Sequence, residues 1–244
     1  MIPPAKTPRS VYAAKLGEFP QLAFTEHQAF ARRGRWREYF VDRIGPAFDG
    51  RIILEIGCSD AAFLAQIAAK LPHTALIGLD WKFKAIYDAA SGVTTDGLQN
   101  VALIRGRGQD IAKLFAASEV DEIWLFHPDP CDREVELKNR LICEAFLVDV
   151  HQTLRNGTSS LCLKTDHADY YATALEVLSR PTVGERFDIT QSSSNFWADE
   201  AAMNHASSRG FAGEMTSYES RFRRKNQPIF YIEIRKRSPD AAPE

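Results

Sequence analysis

The sequence predicts an α/β fold in which helices cover both faces of one mostly parallel, seven-stranded sheet. Short apolar segments alternate along the chain with longer segments of helical periodicity, and this alternation is typical of a parallel sheet covered on both sides. Several apolar segments end at an acidic residue or a turn, as strands do at the edge of such a sheet. The 244 residues are 45% hydrophobic and 25% charged, ordinary proportions for a globular domain.

The predicted strands are short apolar runs bounded by polar or turn residues. They cover residues 51–56, 75–79, 101–104, 121–126, 160–164, 186–191 and 228–234. Helices are predicted where apolar residues recur at helical spacing and stop near glycine or proline. They cover residues 27–44, 61–71, 83–90, 110–117, 137–155 and 168–178. Residues 192–216 are polar and rich in Ser and Asn, which indicates a long loop near the site.

Composition along the chain divides it into a domain with two appendages. Residues 1–25 combine prolines with polar residues and are predicted to form a flexible N-terminal arm. Residues 26–237 contain every predicted strand and are expected to form a single domain. Residues 238–244 are predicted to be a disordered tail.

Cysteine usage and hydropathy exclude several classes of protein. The four cysteines are scattered, without a Cys-x-x-Cys pair or a histidine cluster at metal-ligand spacing, so neither a zinc site nor a disulfide framework is expected. No apolar run approaches the roughly 18 residues that a membrane helix needs. The first residues lack the apolar core of a secretory signal. We therefore expect a cytoplasmic protein without a metal, acting as a monomer or homodimer.

The net charge of −2 gives no overall attraction for nucleic acid. Three local clusters of cations could nevertheless bind phosphate. They comprise Arg32, Arg33, Arg35 and Arg37; Arg221, Arg223, Arg224 and Lys225; and Arg235, Lys236 and Arg237. Each cluster could equally be a solvated helix face or sheet edge.

Asp129 lies between Pro128 and Pro130, directly after the predicted strand 121–126. Proline on both sides stiffens the backbone and prevents a helix from continuing through the turn. Open α/β sheets build their sites at the carboxyl ends of strands. An acid held this firmly is a candidate for gripping a ligand, although a plain proline-rich strand exit has the same pattern.

The first two predicted strands indicate a nucleotide site. Glu55 and Gly57 lie at the end of the first strand, and Asp80, which ends the second, could accept hydrogen bonds from ribose hydroxyls. A dinucleotide site needs further glycines, and Asp60 at the helix start would repel a pyrophosphate. S-adenosylmethionine fits better because its sulfonium and amino groups are cationic. Glu55 could also serve only to pair within the loop.

At this point the chain resembles a known family. Leu54 to Cys58 and Ile77 to Asp80 resemble class I methyltransferases generally. The narrower likeness is to the tRNA (guanine-N7)-methyltransferase family, and it spans roughly residues 33–236. Its motifs are Pro128-Asp129-Pro130, Lys138-x-Arg140-Leu141, Phe146-Leu147, Lys164-Thr165-Asp166, Thr216-Ser217-Tyr218-Glu219 and Gln227-Pro228-Ile229. The resemblance implies a Rossmann-like class I methyltransferase fold, S-adenosyl-L-methionine as the cofactor and tRNA as the partner.

The resemblance also implies roles for individual residues. Asp129 would be catalytic, near the reaction centre. The cofactor contacts would be Glu55, Gly57, Asp80, Asp110 and Asp129. The guanine or tRNA contacts would be Arg133, Asp166, Thr216, Tyr218 and Glu219. The family's acid after the third strand falls on Arg107 in an ungapped comparison, and Asp110, one turn later, is the candidate for its role.

The chain departs from the family pattern at further positions. Ser59 and Ala61 replace the second and third glycines of the cofactor loop, where side chains would crowd a ligand. Cys131 replaces a tryptophan, and residues 132–138 carry three acids against two bases. These changes leave two alternatives open: a methyltransferase with another RNA, a small molecule or a protein as acceptor, and a non-catalytic relic that binds RNA or a partner.

Overall fold

The computed structural model describes residues 9–155, 157–208, 211 and 213–237. Within these ranges one sheet has eight strands: β1 Ala23–Thr25, β2 Ile52–Ile56, β3 Ala75–Asp80, β4 Val101–Arg105, β5 Glu122–Phe126, β6 Ser160–Thr165, β7 Phe187–Ser193 and β8 Phe230–Lys236. Their order is β1-β4-β3-β2-β5-β6-β8-β7. Neighbours among β1 to β6 are parallel, and β8 is antiparallel to both β6 and β7. The predicted mostly parallel α/β architecture is confirmed.

Helices cover both faces of this sheet. In chain order they are α1 Arg9–Lys15, α2 Glu26–Arg32, α3 Trp36–Ile44, α4 Ala62–Lys70, α5 Phe83–Thr95, α6 Ile111–Leu114, α7 Glu144–Thr153, α8 Ala168–Leu178, α9 Pro181–Gly184, α10 Glu200–Ser208 and α11 Ser217–Arg224. Strand side chains alternate between faces. Ile52 and Leu54 accordingly join a core with α3, α7 and α8, whereas Ile53 joins a second core with α4, α5 and α10.

The sheet has one strand more than predicted, and it lies in the segment expected to be a flexible arm. Ala23 to Thr25 pair with Leu103 to Arg105 of β4, and α1 precedes them. Thr25 then begins α2 through a capping box with Gln28. A three-residue strand is too short for a period-two pattern to reveal it. Residues 1–8 and the predicted tail 238–244 lie outside the described residues.

Two predicted helices are interrupted in the structure. The helix predicted over 27–44 is two helices, α2 and α3, separated at Gly34, whose φ is +82°. The backbone N–H groups of Gly34 and Trp36 donate to Glu119 across the domain, at 2.8 and 2.9 Å. The helix predicted over 137–155 is reduced to α7, preceded by a 3-10 helix at Glu134–Asn139. The predicted loop 192–216 contains α10.

Candidate active site at the carboxyl edge of the sheet

The loop after β2 has left-handed backbone conformations of the kind that glycine favours, although two of the residues that adopt them carry side chains. Gly57, Ser59 and Ala61 all have positive φ, at +85°, +52° and +56°. Glycine adopts this region freely, whereas other residues are strained there by about 1–2 kcal/mol. Ala61 is buried and its methyl group joins the core beneath α4, so its side chain packs into the protein rather than over the loop. Ser59 is exposed.

Asp80 holds this loop against the end of β3. Its carboxylate accepts hydrogen bonds from the backbone N–H of Ser59 at 3.2 Å and of Lys82 at 2.8 Å. Burial raises the pKa of Asp80. Gly78 allows the close approach of the loop, because a Cβ there would lie 2.8 Å from Cys58 Sγ. Gly57 and Asp80, two of the predicted cofactor contacts, therefore lie close together.

Glu55 is a buried carboxyl group with an unused oxygen. Its side chain is 4% exposed, and Oε2 has no hydrogen-bond partner among the described residues. Burial raises its pKa to about 8, and repulsion from Asp60, Glu219 and Asp80 adds to this effect. A buried carboxyl surrounded by acids is stabilised as a carboxylate by a cationic ligand. The site therefore suits a positively charged small molecule.

Glu55 should make the stability of the free protein depend on pH. Its folded pKa of about 8 exceeds its reference value of 4.5, so between these values the native state binds more protons than the unfolded state. Stability should then fall by a few kcal/mol as pH rises through this range. Urea unfolding at pH 5, 6.5 and 8 would measure this. Glu55→Gln should flatten the profile, and Glu38→Gln, at an exposed glutamate, should not; an unchanged slope in Glu55→Gln would refute the assignment.

Asp110 lies after β4, where it ends a 3-10 helix at Gly108–Asp110. Its carboxylate pairs with Lys113 at 2.6 Å. Arg107, which occupies the family's acidic position, is exposed at the start of this turn. Trp81, next to Asp80, is 47% exposed. Trp81 follows β3 and Arg107 follows β4, and these strands are parallel neighbours. Trp81 and Arg107 therefore lie at the same edge of the sheet as the loop after β2.

The turn that carries Asp129 is unusually constrained. His127 and Cys131 both have positive φ, at +51° and +50°. The Asp129 carboxylate is exposed and accepts a hydrogen bond from the Cys131 backbone at 3.1 Å. Arg140 braces the turn by donating to the carbonyl of Pro130 at 2.8 Å. Backbone strain of this kind persists only where the surroundings over-determine it, and such strain clusters at functional sites.

Asp166 bonds to His127 and does not cap the next helix. The distance from His127 Nδ1 to Asp166 Oδ1 is 3.0 Å. The side chain that caps α8 is His167, which accepts from the backbone N–H of Tyr170. Burial acts to raise the pKa of Asp166, but the hydrogen bond from His127, a backbone hydrogen bond and the nearby imidazoles together outweigh burial and lower it. Because an ionised carboxylate only accepts, Nδ1 carries the proton of this hydrogen bond, and in the neutral form of the ring Nε2 then has the lone pair.

The His127 ring is 4% exposed and lies between Tyr218 and Phe222 of α11. The ring centroids are 6.0 and 5.9 Å apart. Nε2 has no hydrogen-bond partner in the described part of the chain. A buried ring nitrogen without a partner is uncommon, because buried polar atoms are nearly always hydrogen-bonded. Tyr218 itself is 49% exposed, whereas Thr216 and Glu219 are buried.

Thr216 and Glu219 form the N-terminal cap of α11. The Thr216 hydroxyl accepts from the Glu219 backbone, and the Glu219 side chain accepts from the Thr216 backbone. Glu219 is fully buried and also pairs with Lys164 at 2.9 Å. Lys164 is equally buried, with four aromatic rings within 5.4 Å of Nζ: Phe126, Phe196, Trp197 and Phe211. The pair therefore fixes α11 to the end of β6.

Arg133 follows the Asp129 turn, is exposed, and pairs with Glu136 on the same 3-10 helix. In the structure the predicted site residues thus form two groups: acids at the carboxyl edge of the sheet, and residues that hold the neighbouring elements in place. Four acids lie at or just after the carboxyl ends of β2, β3, β5 and β6; we call Glu55, Asp80, Asp129 and Asp166 the acidic edge. Sequence reasoning missed the roles of Lys164 and Arg140, although both lie inside motifs that carried the family resemblance.

Within the described ranges, no helix has the length and apolar character needed to cross a membrane. In the same ranges, no three His, Cys, Asp or Glu side chains come together in a way that could hold a metal ion. The acids of the edge instead bond to backbone groups and to His127.

Comparison with solved structures defines the class of fold. The chain superposes on a structure described as an antibiotic-related methyltransferase with a TM-score of 0.58 at 16% identity, covering 82% of this chain and 94% of that one. A 16S rRNA (adenine(1408)-N(1))-methyltransferase variant from Catenulisporales acidiphilia gives a TM-score of 0.56 at 10% identity, covering 84% and 93%. Residues 49–232 also match a family model described as "Putative methyltransferase". The fold and the family model are those of methyltransferases.

Curated relatives narrow this class. A tRNA (guanine-N(7)-)-methyltransferase from Christiangramia forsetii is 30% identical over 84% of this chain and 85% of its own. One from Cytophaga hutchinsonii is 35% identical over 63% and 66%. The chain spans only a third of a bifunctional glycosyltransferase/methyltransferase from Fusobacterium nucleatum, which is 28% identical over 95% of this chain. The chain belongs to the tRNA (guanine-N7)-methyltransferase family.

Proposed function

We propose that this protein transfers a methyl group from S-adenosyl-L-methionine to N7 of a guanine in tRNA. The observation that carries the proposal is the acidic edge, where Glu55, Asp80, Asp129 and Asp166 lie at or just after the carboxyl ends of four neighbouring strands. Membership of the family supports the same activity. We further propose that residues 26–237 act as one domain, together with α1 and β1, in the cytoplasm as a monomer or homodimer.

The acidic edge fits the donor through the orphaned carboxyl of Glu55. Glu55 and Asp129 would face its cationic groups, Gly57 would let the loop approach it, and Asp80 would accept from its ribose hydroxyls. Asp110 would border the adenine side. The donor supplies an electrophilic methyl group on a positively charged sulfur. The left-handed conformations of Ser59 and Ala61 support the same approach of the backbone that glycines would give.

The acceptor needs no general base, because N7 of guanine already has a free lone pair at neutral pH. Catalysis can therefore come mainly from alignment of the reacting atoms. The methylated base is cationic, so the carboxylates of Asp129 and Asp166 would stabilise the charge that develops on the ring. Carboxylates also accept from guanine N1–H and the exocyclic amine, which would disfavour adenine. Tyr218 would stack on the base, and Arg133 would meet the tRNA backbone.

The Thr216 and Glu219 side chains are engaged with each other and with Lys164. We therefore propose that they serve the substrate by holding Tyr218 in place. A second candidate function follows from the His127–Asp166 pair. An imidazole held with its Nε2 lone pair free could take a proton from an acceptor that must be deprotonated before methylation. N7 of guanine is not such an acceptor.

Calorimetric titration with S-adenosylhomocysteine followed by methyl transfer to unmodified bulk tRNA tests the proposal. We expect binding, then incorporation of methyl groups that nucleoside mass spectrometry identifies as 7-methylguanosine. Binding without tRNA methylation would favour another acceptor and overturn the tRNA assignment. The absence of binding would leave the non-catalytic alternative. Loss of the His127 lone pair in His127→Phe should leave N7 transfer measurable, but should abolish transfer to an acceptor that needs a base.

A further inference from the structure

Members of two of the three basic clusters in the sequence are used to hold the fold. In the first, Arg33 Nε donates to the carbonyls of Ala112 and Phe115 at 3.0 and 3.1 Å. Arg37 of the same cluster donates to the carbonyl of Gly50 and pairs with Asp121. In the third cluster, Lys236 is buried and donates to the carbonyl of Leu154 at 2.7 Å. These cations stabilise contacts between elements that are distant in sequence.

The second cluster lies on α11, and α11 lies along the acidic edge. At its start, Glu219 pairs with Lys164 near the carboxyl end of β6. After its end the chain enters β8 at Phe230, which is opposite Thr165, again at the carboxyl end of β6. In between, Phe222 lies 5.9 Å from the His127 ring. The start and the middle of α11 therefore lie beside the carboxyl ends of β6 and β5, where the Asp129 turn begins.

The exposed surface of α11 combines cations with an aromatic ring. Arg221, Arg224 and Lys225 are exposed, and the Arg221 guanidinium lies 5.8 Å from the Tyr218 ring centroid. The one acid of the helix, Glu219, is buried and paired. Arg223 differs from its neighbours because it lies over Trp197, at 4.5 Å. Three positive charges thus face solvent at the rim of a site whose interior is acidic.

We infer that Arg221, Arg224 and Lys225 bind the phosphates of the RNA strand beside the target guanine, with Tyr218 at the boundary between backbone and base. This inference rests on the proposed function and adds the surface that holds the substrate. RNA phosphates are recognised chiefly by Lys and Arg. A chain with a net charge of −2 needs such a local cluster. The opposite charges of helix and edge would place the phosphates on α11 and the base in the pocket.

The test compares two variants that each lose three positive charges. The first is Arg221→Gln, Arg224→Gln and Lys225→Gln on α11. The control is Arg180→Gln, Arg235→Gln and Arg237→Gln, at exposed residues near the amino end of β6. For the α11 variant we expect the KM for tRNA to rise at least about tenfold, with kcat within about twofold. The slope of log affinity against log salt should fall by about 2–3, whereas the control should match the wild type.

Direct tRNA binding and S-adenosylhomocysteine titration separate failure of this inference from failure of the proposed function. A wild-type protein that binds tRNA through α11 but methylates no guanine would refute only the function. An α11 variant with wild-type KM and salt slope would overturn the inference, as would an equal loss in the control. Thermal melting and S-adenosylhomocysteine affinity show whether the triple variant folds. If it does not, the single variants Arg221→Gln and Lys225→Gln replace it. A salt slope reduced by about 1 in each would support the inference, and an unchanged slope would overturn it.

Discussion

Replacing Asp129 with alanine should abolish methyl transfer and leave the fold intact. The carboxylate is exposed and makes one hydrogen bond within its own turn, to the Cys131 backbone. The turn is also held by Arg140 through the carbonyl of Pro130, so it should survive the substitution. Removing one preorganised charge from a site of developing charge typically costs about 10²–10³-fold in kcat. Loss of alignment between donor and base would add to this.

Initial rates with saturating donor and tRNA measure the effect, and thermal melting checks the fold. Asp132→Ala is the matched control, because Asp132 is also an exposed carboxylate but bonds to His167 at 2.9 Å. The control should keep most of the activity. Asp129→Asn should retain the bond to the Cys131 backbone and still lose transfer, since an amide lacks the negative charge. Turnover near that of the wild type in Asp129→Ala would end the catalytic assignment.

Breaking the Lys164–Glu219 pair on one side should destabilise the protein severely. Both side chains are fully buried, and the partner left behind would be an uncompensated charge in the core. Removal of one member of such a pair costs about 3–5 kcal/mol. Lys164→Met should show this loss in urea unfolding as a lower midpoint. The four aromatic rings around Nζ would accommodate the methionine side chain.

A double variant distinguishes the ion pair from simple packing. In Lys164→Met with Glu219→Gln, the glutamine can still cap α11 as glutamate does, and no charge remains buried. Most of the lost stability should return, giving a coupling free energy of about 2 kcal/mol or more. If the single and double variants are equally unstable, the ion pair contributes nothing beyond packing. Lys84→Met, at an exposed surface pair with Asp88, should be nearly neutral.

The sheet could be predicted because most of its seven longer strands are apolar runs that local sequence reveals, although β7 is mainly polar. The eighth, β1, has only three residues and is stabilised by pairing with β4, some eighty residues later. The break between α2 and α3 depends on Glu119, which is equally remote in sequence. Long-range partners of this kind leave no pattern in the local sequence. Where they act, the predicted boundaries of the elements therefore differ from the observed ones.

The difference between local patterns and long-range partners also explains which parts of the site could be predicted. The acids at the strand ends could be located from the turns that follow them, as for Asp80 and Asp129. What each side chain bonds to could not. The resemblance implied a guanine or tRNA contact for Asp166, and the structure gives it His127, 39 residues away, as its partner. The crowding of a ligand by Ser59 and Ala61 stays a prediction, and their left-handed backbone conformations were not foreseen from the sequence.

The acidic edge has a consequence for the bookkeeping of protons over a whole turnover. Methylation of N7 moves one positive charge from sulfur to the purine, so the total charge above the sheet is the same before and after the chemical step. The imbalance arises only when the modified RNA departs and takes that charge with it. If Glu55 lines the donor site as proposed, it would then face a spent, electrically neutral donor, and its raised pKa would favour the uptake of a proton. Binding of a new donor molecule would have to expel this proton again. We therefore expect the rate of exchange of the spent donor to depend on pH more steeply than the rate of methyl transfer itself.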